Sequence, residues 1–315
     1  MQFYLAGNMK TSPKVSIIIL NWNAAGDTIR CIDSFLKVQY DNYEIVVVDN
    51  GSEDGSYQLI KRKYPDIVLI ETGENLGYAA GNNAGIKYAI QNGADYILLV
   101  NNDTKLLNPQ FLKQAVELIM EADCKIGIIG PKVFTSTGQV QDTILFTPTL
   151  LNCIKQSFRL RWRIKESKDY SKVQEVDAVS GVCLLIKKEL IDEIGLLDED
   201  YFMYAEEQDY CYRAQRAGWK VIYYPVDSII HYRESVSSLE RYMKRYIYVR
   251  KSLIIFLRKH YGFLYAIILS GLFLISNLCK ALTAKGEERQ FYNFSFLSSL
   301  YKGIKDALRS GKSRA

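Results

Sequence analysis

Val46-Val47-Val48-Asp49-Asn50-Gly51-Ser52-Glu53-Asp54-Gly55-Ser56 is an apolar, β-rich run that stops abruptly in acid and amide side chains, and Leu98-Leu99-Val100-Asn101-Asn102-Asp103 repeats the pattern further along. A buried parallel strand reads as a continuous apolar run, and ligands of open α/β sheets bind beyond the carboxyl ends of such strands. Two strands delivering carboxylates to that edge predict a site for a nucleotide and a metal. Outward from them, strands at residues 14–22, 43–49, 67–70, 96–100 and 126–129 alternate with helical patterns. Asp27 is placed to cap a helix with Ile29, Ile32, Phe35 and Leu36 on one face, and further helices follow at 54–63, 78–91 and 109–122, the last with Pro109 in its first turn. Such alternation predicts βαβ units in a mostly parallel sheet.

Periodicity fades over residues 131–175, where 135–141 reads as a turn and 159–165 as a basic, partly apolar segment. Regular patterns return as a strand at 182–186, helices at 188–194 and 206–217, strands at 220–224 and 228–232, and a long basic helix at 239–260. We therefore expect an N-terminal extension (1–13), an α/β domain (14–238, nucleotide half to about 130 and acceptor half beyond it) and a tail (239–315).

The net charge of +5 hides an asymmetry: residues 241–315 hold 15 Lys and Arg against 3 acids, and residues 1–240 hold 25 against 32. A basic tail beside an apolar run points to anionic lipid headgroups, with nucleic acid as the second option. Residues 263–279 carry no charge and sit at the lower edge of a spanning length, so they read as a spanning helix, an interfacial helix, or a buried core or oligomer helix. Residues 1–12 lack the positive start and apolar core of a secretory signal. The six cysteines form no CxxC pair, which argues against a zinc site or a disulfide framework. Cys31, Cys183, Cys211 and Cys279 lie among apolar residues and read as buried thiols, in keeping with a reducing cytoplasm.

Asp49 either caps a turn or accepts the imide N–H of a pyrimidine base. Asp103 either caps a turn before Pro109 or presents its carboxylate to a hard divalent cation that also binds phosphate oxygens. Glu206, Glu207 and Asp209 fall in the first turn of a helix, where the macrodipole favours them. They also follow an aromatic stretch that would raise a carboxylate toward general-base use. His231, one of two histidines, ends a β run and is either structural or a neutral nitrogen ligand. The glycine-rich 75–85 stretch has no Gly-Lys-Ser/Thr, no Gly-x-Gly-x-x-Gly follows the first strand, and no Gly-x-Ser-x-Gly elbow occurs. P-loop, dinucleotide dehydrogenase and serine-hydrolase readings fall away.

Together the segments Val15–Asn23, Val48–Ser56, Asn75-Leu76-Gly77 through Asn82-Asn83, Asn101–Thr104, Phe202–Asp209 with Arg213, and Ile230-His231-Tyr232 resemble, in order, the inverting family 2 glycosyltransferases of GT-A fold. Within that family they are similar to the rhamnosyltransferase-like bacterial group. The resemblance implies a Rossmann-like, mostly parallel sheet flanked by helices, followed by a C-terminal helical membrane-associating extension. It implies that Asp49 holds the base, that Asn21, Trp22 and Asn23 line the base and ribose pocket, and that Asn82 and Asn102 face the donor. Asp103 and His231 would hold Mn²⁺ or Mg²⁺, and Glu207 would be the catalytic base, supported by Glu206, Asp209 and Arg213. Asn101 departs from the family's metal motif by replacing its first Asp, leaving one carboxylate ligand. The expected reaction moves a sugar from a nucleotide donor, dTDP-rhamnose favoured over UDP-hexose, to a glycan or polyprenyl-diphosphate-linked acceptor. It would run at the inner membrane face, in cell-surface polysaccharide synthesis. The alternatives are a nucleotidyltransferase, which normally needs a cationic Gly-rich loop where Asn21–Gly26 stand, and a non-catalytic sugar-nucleotide or polysaccharide-binding module.

Overall fold

A computed structural model describes residues 12–157, 168–232, 239–283 and 294–309; the basic segment at 159–165 lies outside them. The first half runs β1(Val15–Asn21), α1(Ala25–Phe35), β2(Tyr43–Asp49), α2(Ser56–Lys63), β3(Val68–Glu71), α3(Gly77–Gln91), β4(Tyr96–Asn101), β5(Thr104–Leu106), α4(Phe111–Glu121) and β6(Ile126–Thr135). There follow β7(Ile144–Leu145), α5(Leu150–Ser157), β8(Gln174–Glu175), β9(Ala178–Val179), β10(Cys183–Lys187), α6(Lys188–Ile194), α7(Glu206–Arg216) and β11(Lys220–His231). Three helices close the described chain: α8(Leu239–Tyr261), α9(Phe263–Thr283) and α10(Phe294–Arg309).

The central sheet has the order β3-β2-β1-β4-β10-β6-β11-β5. Strands β3, β2, β1 and β4 are mutually parallel, β10 is inserted antiparallel, and β11 runs parallel to β6. Successive strand residues point to opposite faces, so an unbroken apolar strand demands cover on both. Ile17, Ile19, Val47 and Leu98 pack with Ile32 and Phe35 of α1 and Phe111 and Val116 of α4. Ile18, Val46, Val48 and Leu99 pack on the other side with Ala79 and Ile86 of α3 and Tyr210 and Ala214 of α7. The register aligns Asn21 with Asp49 and Leu20 with Asn101, so the polar strand ends form one edge.

Several expectations are corrected. Ala24, not Asp27, is the N-cap of α1; Asp27 sits in the first turn and pairs with Arg30. Helix α4 starts two residues after Pro109. Residues 220–224 and 228–232 are not two strands but one, β11, whose register slips between Tyr224 and Ile229, where Pro225 offers no N–H to a ladder. Strand β6 runs on to Thr135, and β5 was invisible because three residues carry no period. Cys279 is exposed, whereas Cys31, Cys153, Cys183 and Cys211 are buried.

The C-terminal helices do not hang free. Leu253, Ile254, Phe256 and Leu257 of α8, Leu269 and Phe273 of α9, and Leu300 and Ile304 of α10 form a third core with Cys153, Tyr201 and Ala205. This core backs onto the loop before α7, and that loop grips the start of α3. The Tyr78 N–H donates to the Phe202 carbonyl at 2.7 Å. Gly77 has φ +84°, and a Cβ there would lie 2.4 Å from the Phe202 oxygen. Gly77→Ala should cost more than about 2 kcal/mol in chemical unfolding, since clash adds to left-handed strain. Gly93→Ala, at φ +77° with open space around it, should cost only about 1–2 kcal/mol.

Candidate active site

The polar edge is a connected network. Asp49 is fully buried; Asn21 Nδ2–H donates to its Oδ2 at 2.7 Å and the Ser52 N–H to its Oδ1 at 2.9 Å. Asn21 Oδ1 accepts from the Thr28 hydroxyl at 2.6 Å, which in turn accepts from Asn102 Nδ2–H at 3.0 Å. Asn23 stands at φ +50°, and its Oδ1 accepts the Glu53 N–H at 2.8 Å, stitching the β1 loop to the β2 loop. Trp22 is 51% exposed at the lip. Asn82 stays outside this network: its amide donates to the Tyr78 carbonyl inside α3 at 2.9 Å. Thr28 and Ser52 were missed from sequence, since a hydroxyl in a helix or turn carries no signal of its own.

Asp103 lies in the turn between β4 and β5, and β5 pairs antiparallel with the end of β11, setting His231 opposite Thr104. The result is His231 Nε2 at 3.1 Å from Asp103 Oδ1. On its other side, His231 Nδ1 lies 2.9 Å from Gln141 Oε1. An amide oxygen only accepts, so Nδ1–H is the donor there; Nε2 faces Asp103 Oδ1, at a separation where a cationic ring donates to the carboxylate and a neutral ring offers a lone pair to a cation beside it. Two acceptors at that separation suit adjacent positions on one small divalent cation, whose ligands about 2.1 Å from the metal stand about 3 Å apart. Among the described residues no group of three His, Cys, Asp or Glu exists to hold a metal without help from a ligand. Gln141 was not foreseen; the turn at 135–141 brings it there, through the Gln141 N–H bond to Val133.

Glu206 and Glu207 open α7 directly after two non-glycine residues in the left-handed region, Tyr204 (φ 70°) and Ala205 (φ 65°). Such strain concentrates at functional sites. Each glutamate has a buried Oε2 with no hydrogen-bond partner. Burial pushes Glu206 well above the ordinary carboxylate range, and the Glu207 charge adds to the shift. Burial also raises Glu207, against the opposing pull of backbone N–H groups at Glu207, Gly181 and Ala205. Tyr78 lies within electrostatic reach of Glu206, Glu207 and Asp103, and its hydroxyl is fixed on the Gly181 carbonyl at 2.7 Å. Tyr78 is thus a common neighbour of the two glutamates and Asp103. Glu207 also lines a cavity of about 510 Å³ walled by Phe146, Pro148, Cys153, Lys155 and Leu253.

Asp209, fully buried one turn on, is bonded to Arg213 Nε at 2.8 Å and to His260 Nε2 at 2.7 Å. Arg213 Nη1 and Nη2 donate to the Ile194 and Leu196 carbonyls at 2.8 and 2.9 Å. These two residues support the helix rather than face the cavity.

Residues 13–247 match the family described as "Glycosyltransferase like family 2", and the chain belongs to it. Membership of that family speaks against the nucleotidyltransferase alternative. The chain is 27% identical over 208 residues to the N-acetylglucosaminyl-diphospho-decaprenol L-rhamnosyltransferase of Mycobacterium tuberculosis, covering 60% of this chain and 66% of that protein. It is 29% identical over 218 residues to the low-salt glycan biosynthesis hexosyltransferase Agl10 of Haloferax volcanii, covering 69% and 66%. The chain thus spans just under two thirds of the length of these curated relatives. The fold is similar to that of the mannosyltransferase PcManGT from Pyrobaculum calidifontis in complex with GDP-Man and Mn²⁺ (TM-score 0.56, 17% identity, 94% of this chain and 87% of that one). It is also similar to TarS residues 1–349 of S. aureus in complex with UDP-GlcNAc (TM-score 0.53, 17% identity, 94% and 82%).

An acid whose folded-state pKa is raised favours the folded state below the unfolded value and loses that contribution as pH rises through the folded value. Burial and Glu207 raise Glu206. Glu206→Gln, which cannot ionise, should therefore melt higher than the wild type above neutral pH and alike at pH 4, as read by thermal melts across pH.

Proposed function

We propose that this chain transfers a sugar, with inversion, from a nucleoside diphosphate donor to a hydroxyl of a lipid-linked glycan. The observation that carries this reading is the buried, unpartnered Glu207 oxygen on the cavity wall, with Tyr78 a common neighbour of Glu207 and Asp103. Asp49 and the Asn21–Asn23 loop would hold the base and ribose, as the row of polar strand ends suits. Asp103 and His231 would hold a Mn²⁺ or Mg²⁺ ion, which when bound neutralises charge on the departing diphosphate. Glu207 takes the proton of the acceptor hydroxyl while that oxygen bonds to the anomeric carbon from the face opposite the leaving group. The bond from that carbon to the diphosphate oxygen breaks as the new bond forms. One displacement inverts the centre, and the nucleoside diphosphate leaves. Burial raises both glutamates, Glu206 with the added charge of its neighbour, and the role assigned here needs Glu207 to be the one that ionises.

Rhamnose on a thymidine nucleotide is the favoured donor, and a polyprenyl-diphosphate-linked glycan the favoured acceptor. The similarity to the mycobacterial rhamnosyltransferase supports both. Nucleoside diphosphate release from a panel of dTDP- and UDP-sugars, with Mn²⁺, Mg²⁺ or EDTA, tests the reading. One donor should turn over with metal and stop with EDTA. Glu207→Gln should lose about 10²–10⁴-fold in kcat with donor KM nearly unchanged. Substantial residual transfer in that variant would remove Glu207 from the role.

The acceptor reading extends to the membrane. Helix α9 is long and apolar enough to cross one by length and composition. However, it lies along α8, with Asn277 bonded to Tyr246 at 2.5 Å and Phe273 under Arg250, and α8 carries seven Lys and Arg. A bilayer-spanning α9 would drag those charges into hydrocarbon. Its other face leaves Leu264, Ile267, Ile268, Ile275, Leu278 and Leu282 exposed in a stripe. Such a helix suits the plane of an anionic lipid surface at the inner membrane face. In flotation assays the protein should rise with phosphatidylglycerol vesicles and less so at high salt. The Ile268→Glu, Ile275→Glu variant should stay at the bottom, and equal flotation of both would refute the lipid seat.

A further inference from the structure

The chain has two histidines, and the one outside the metal site is tied to the catalytic helix. His260, in the last turn of α8, bonds the fully buried Asp209, which also receives the Tyr201 hydroxyl at 3.3 Å. The same helix holds the loop before α7 at four more places. Ser252 donates its hydroxyl to the Met203 carbonyl at 3.0 Å, Tyr248 stacks on Phe202 at 5.3 Å, and Arg245 lies over the Tyr204 ring at 5.8 Å. Lys259 pairs with Asp198 and, at 2.7 Å, with Asp200 at the start of that loop. The loop thus held contains the left-handed pair Tyr204–Ala205, a backbone arrangement that persists only where its surroundings over-determine it.

We propose that α8 is the strut that fixes the Glu206–Glu207 corner, with His260 as its positioning residue, acting through Asp209 and touching neither sugar nor metal. The kinetic part of this rests on Glu207 being the base. Burial alone would raise the Asp209 carboxyl. The His260 hydrogen bond and the Arg213 charge outweigh it and hold the group below its ordinary value, as a carboxylate that can accept from both.

The test needs no substrate at first. Hydrogen exchange read by mass spectrometry over residues 198–213 should accelerate at least tenfold in His260→Ala, while the strands at 15–49 keep their wild-type rates. His260→Gln, whose amide N–H can replace the imidazole donor, should restore slow exchange. Under transfer conditions His260→Ala should lose about 10–100-fold in kcat with donor KM within twofold, since the donor edge is built from residues 21–103, and His260→Gln should recover most of the loss. Unchanged exchange in His260→Ala, or no recovery in His260→Gln, would overturn the proposal. If His260→Ala fails to fold, Ser252→Ala removes a different bond of the same strut and should accelerate exchange over the same residues. Full transfer in Glu207→Gln would sink the base assignment instead, leaving the exchange result standing.

Discussion

Two buried carboxylate oxygens without partners, at the start of one helix, govern how the rest of the molecule is arranged. Leaving a buried polar atom unsatisfied costs about 1–3 kcal/mol, and the left-handed residues before it add about 1–2 kcal/mol each. A short loop on the surface would relax by turning the glutamates toward water. Here relaxation is blocked from both sides. The carbonyl of Phe202 is held by the start of α3, and Phe202, Met203 and Tyr204 are held by α8. The N-terminus of α7 offsets part of the charge once one of the pair ionises.

The sheet supplies the opposite wall. Because β1, β2 and β4 are parallel and in register, Asn21 and Asp49 come out level with Asn101 one residue below them, and the loops beyond interlock through Thr28, Ser52 and Asn23. Inserting β10 antiparallel next to β4 brings Gly181 and Val182 to the same edge, where Tyr78 and the Asn101 N–H bind their carbonyls. Strand β11 then returns past β6 to deliver His231 beside Asp103. Residues separated by over a hundred positions meet because strand order, rather than sequence distance, sets the spacing.

What could be read from the sequence follows from range. The parallel strands and their helices were legible because each is a local period with a sharp polar end, and Asp49, Asp103, Glu207 and His231 all stand at such ends. The partners that decide their chemistry were not legible. Gln141 reaches His231 from a turn ninety residues earlier, and His260 reaches Asp209 from the following helix, 51 residues on, neither marked by any pattern. Asp27 misled because an acid in the first turn and an acid at the cap look alike in sequence; only the backbone of Ala24 separates them. The division into strands at 220–224 and 228–232 misled in the other direction, since a register slip lets one strand carry Pro225, which a regular ladder rejects.

The C-terminal helices have a neighbour that composition does not reveal. Their charge and their apolar run read as an appendage for lipid. Yet α8 shares its core with Tyr201 and Ala205, and α9 buries Ala266, Leu269, Phe273 and Asn277 against that core while exposing the opposite stripe. One layer of helices therefore has two faces with different neighbours, the loop that aims the glutamates and, on the reading proposed above, the lipid surface. The cavity at Glu207 lies between α8 and residues 144–155, beside that layer. On that reading an acceptor hydroxyl entering this cavity would meet Val249 and Leu253 of α8, the helix that holds the loop before Glu207 in place.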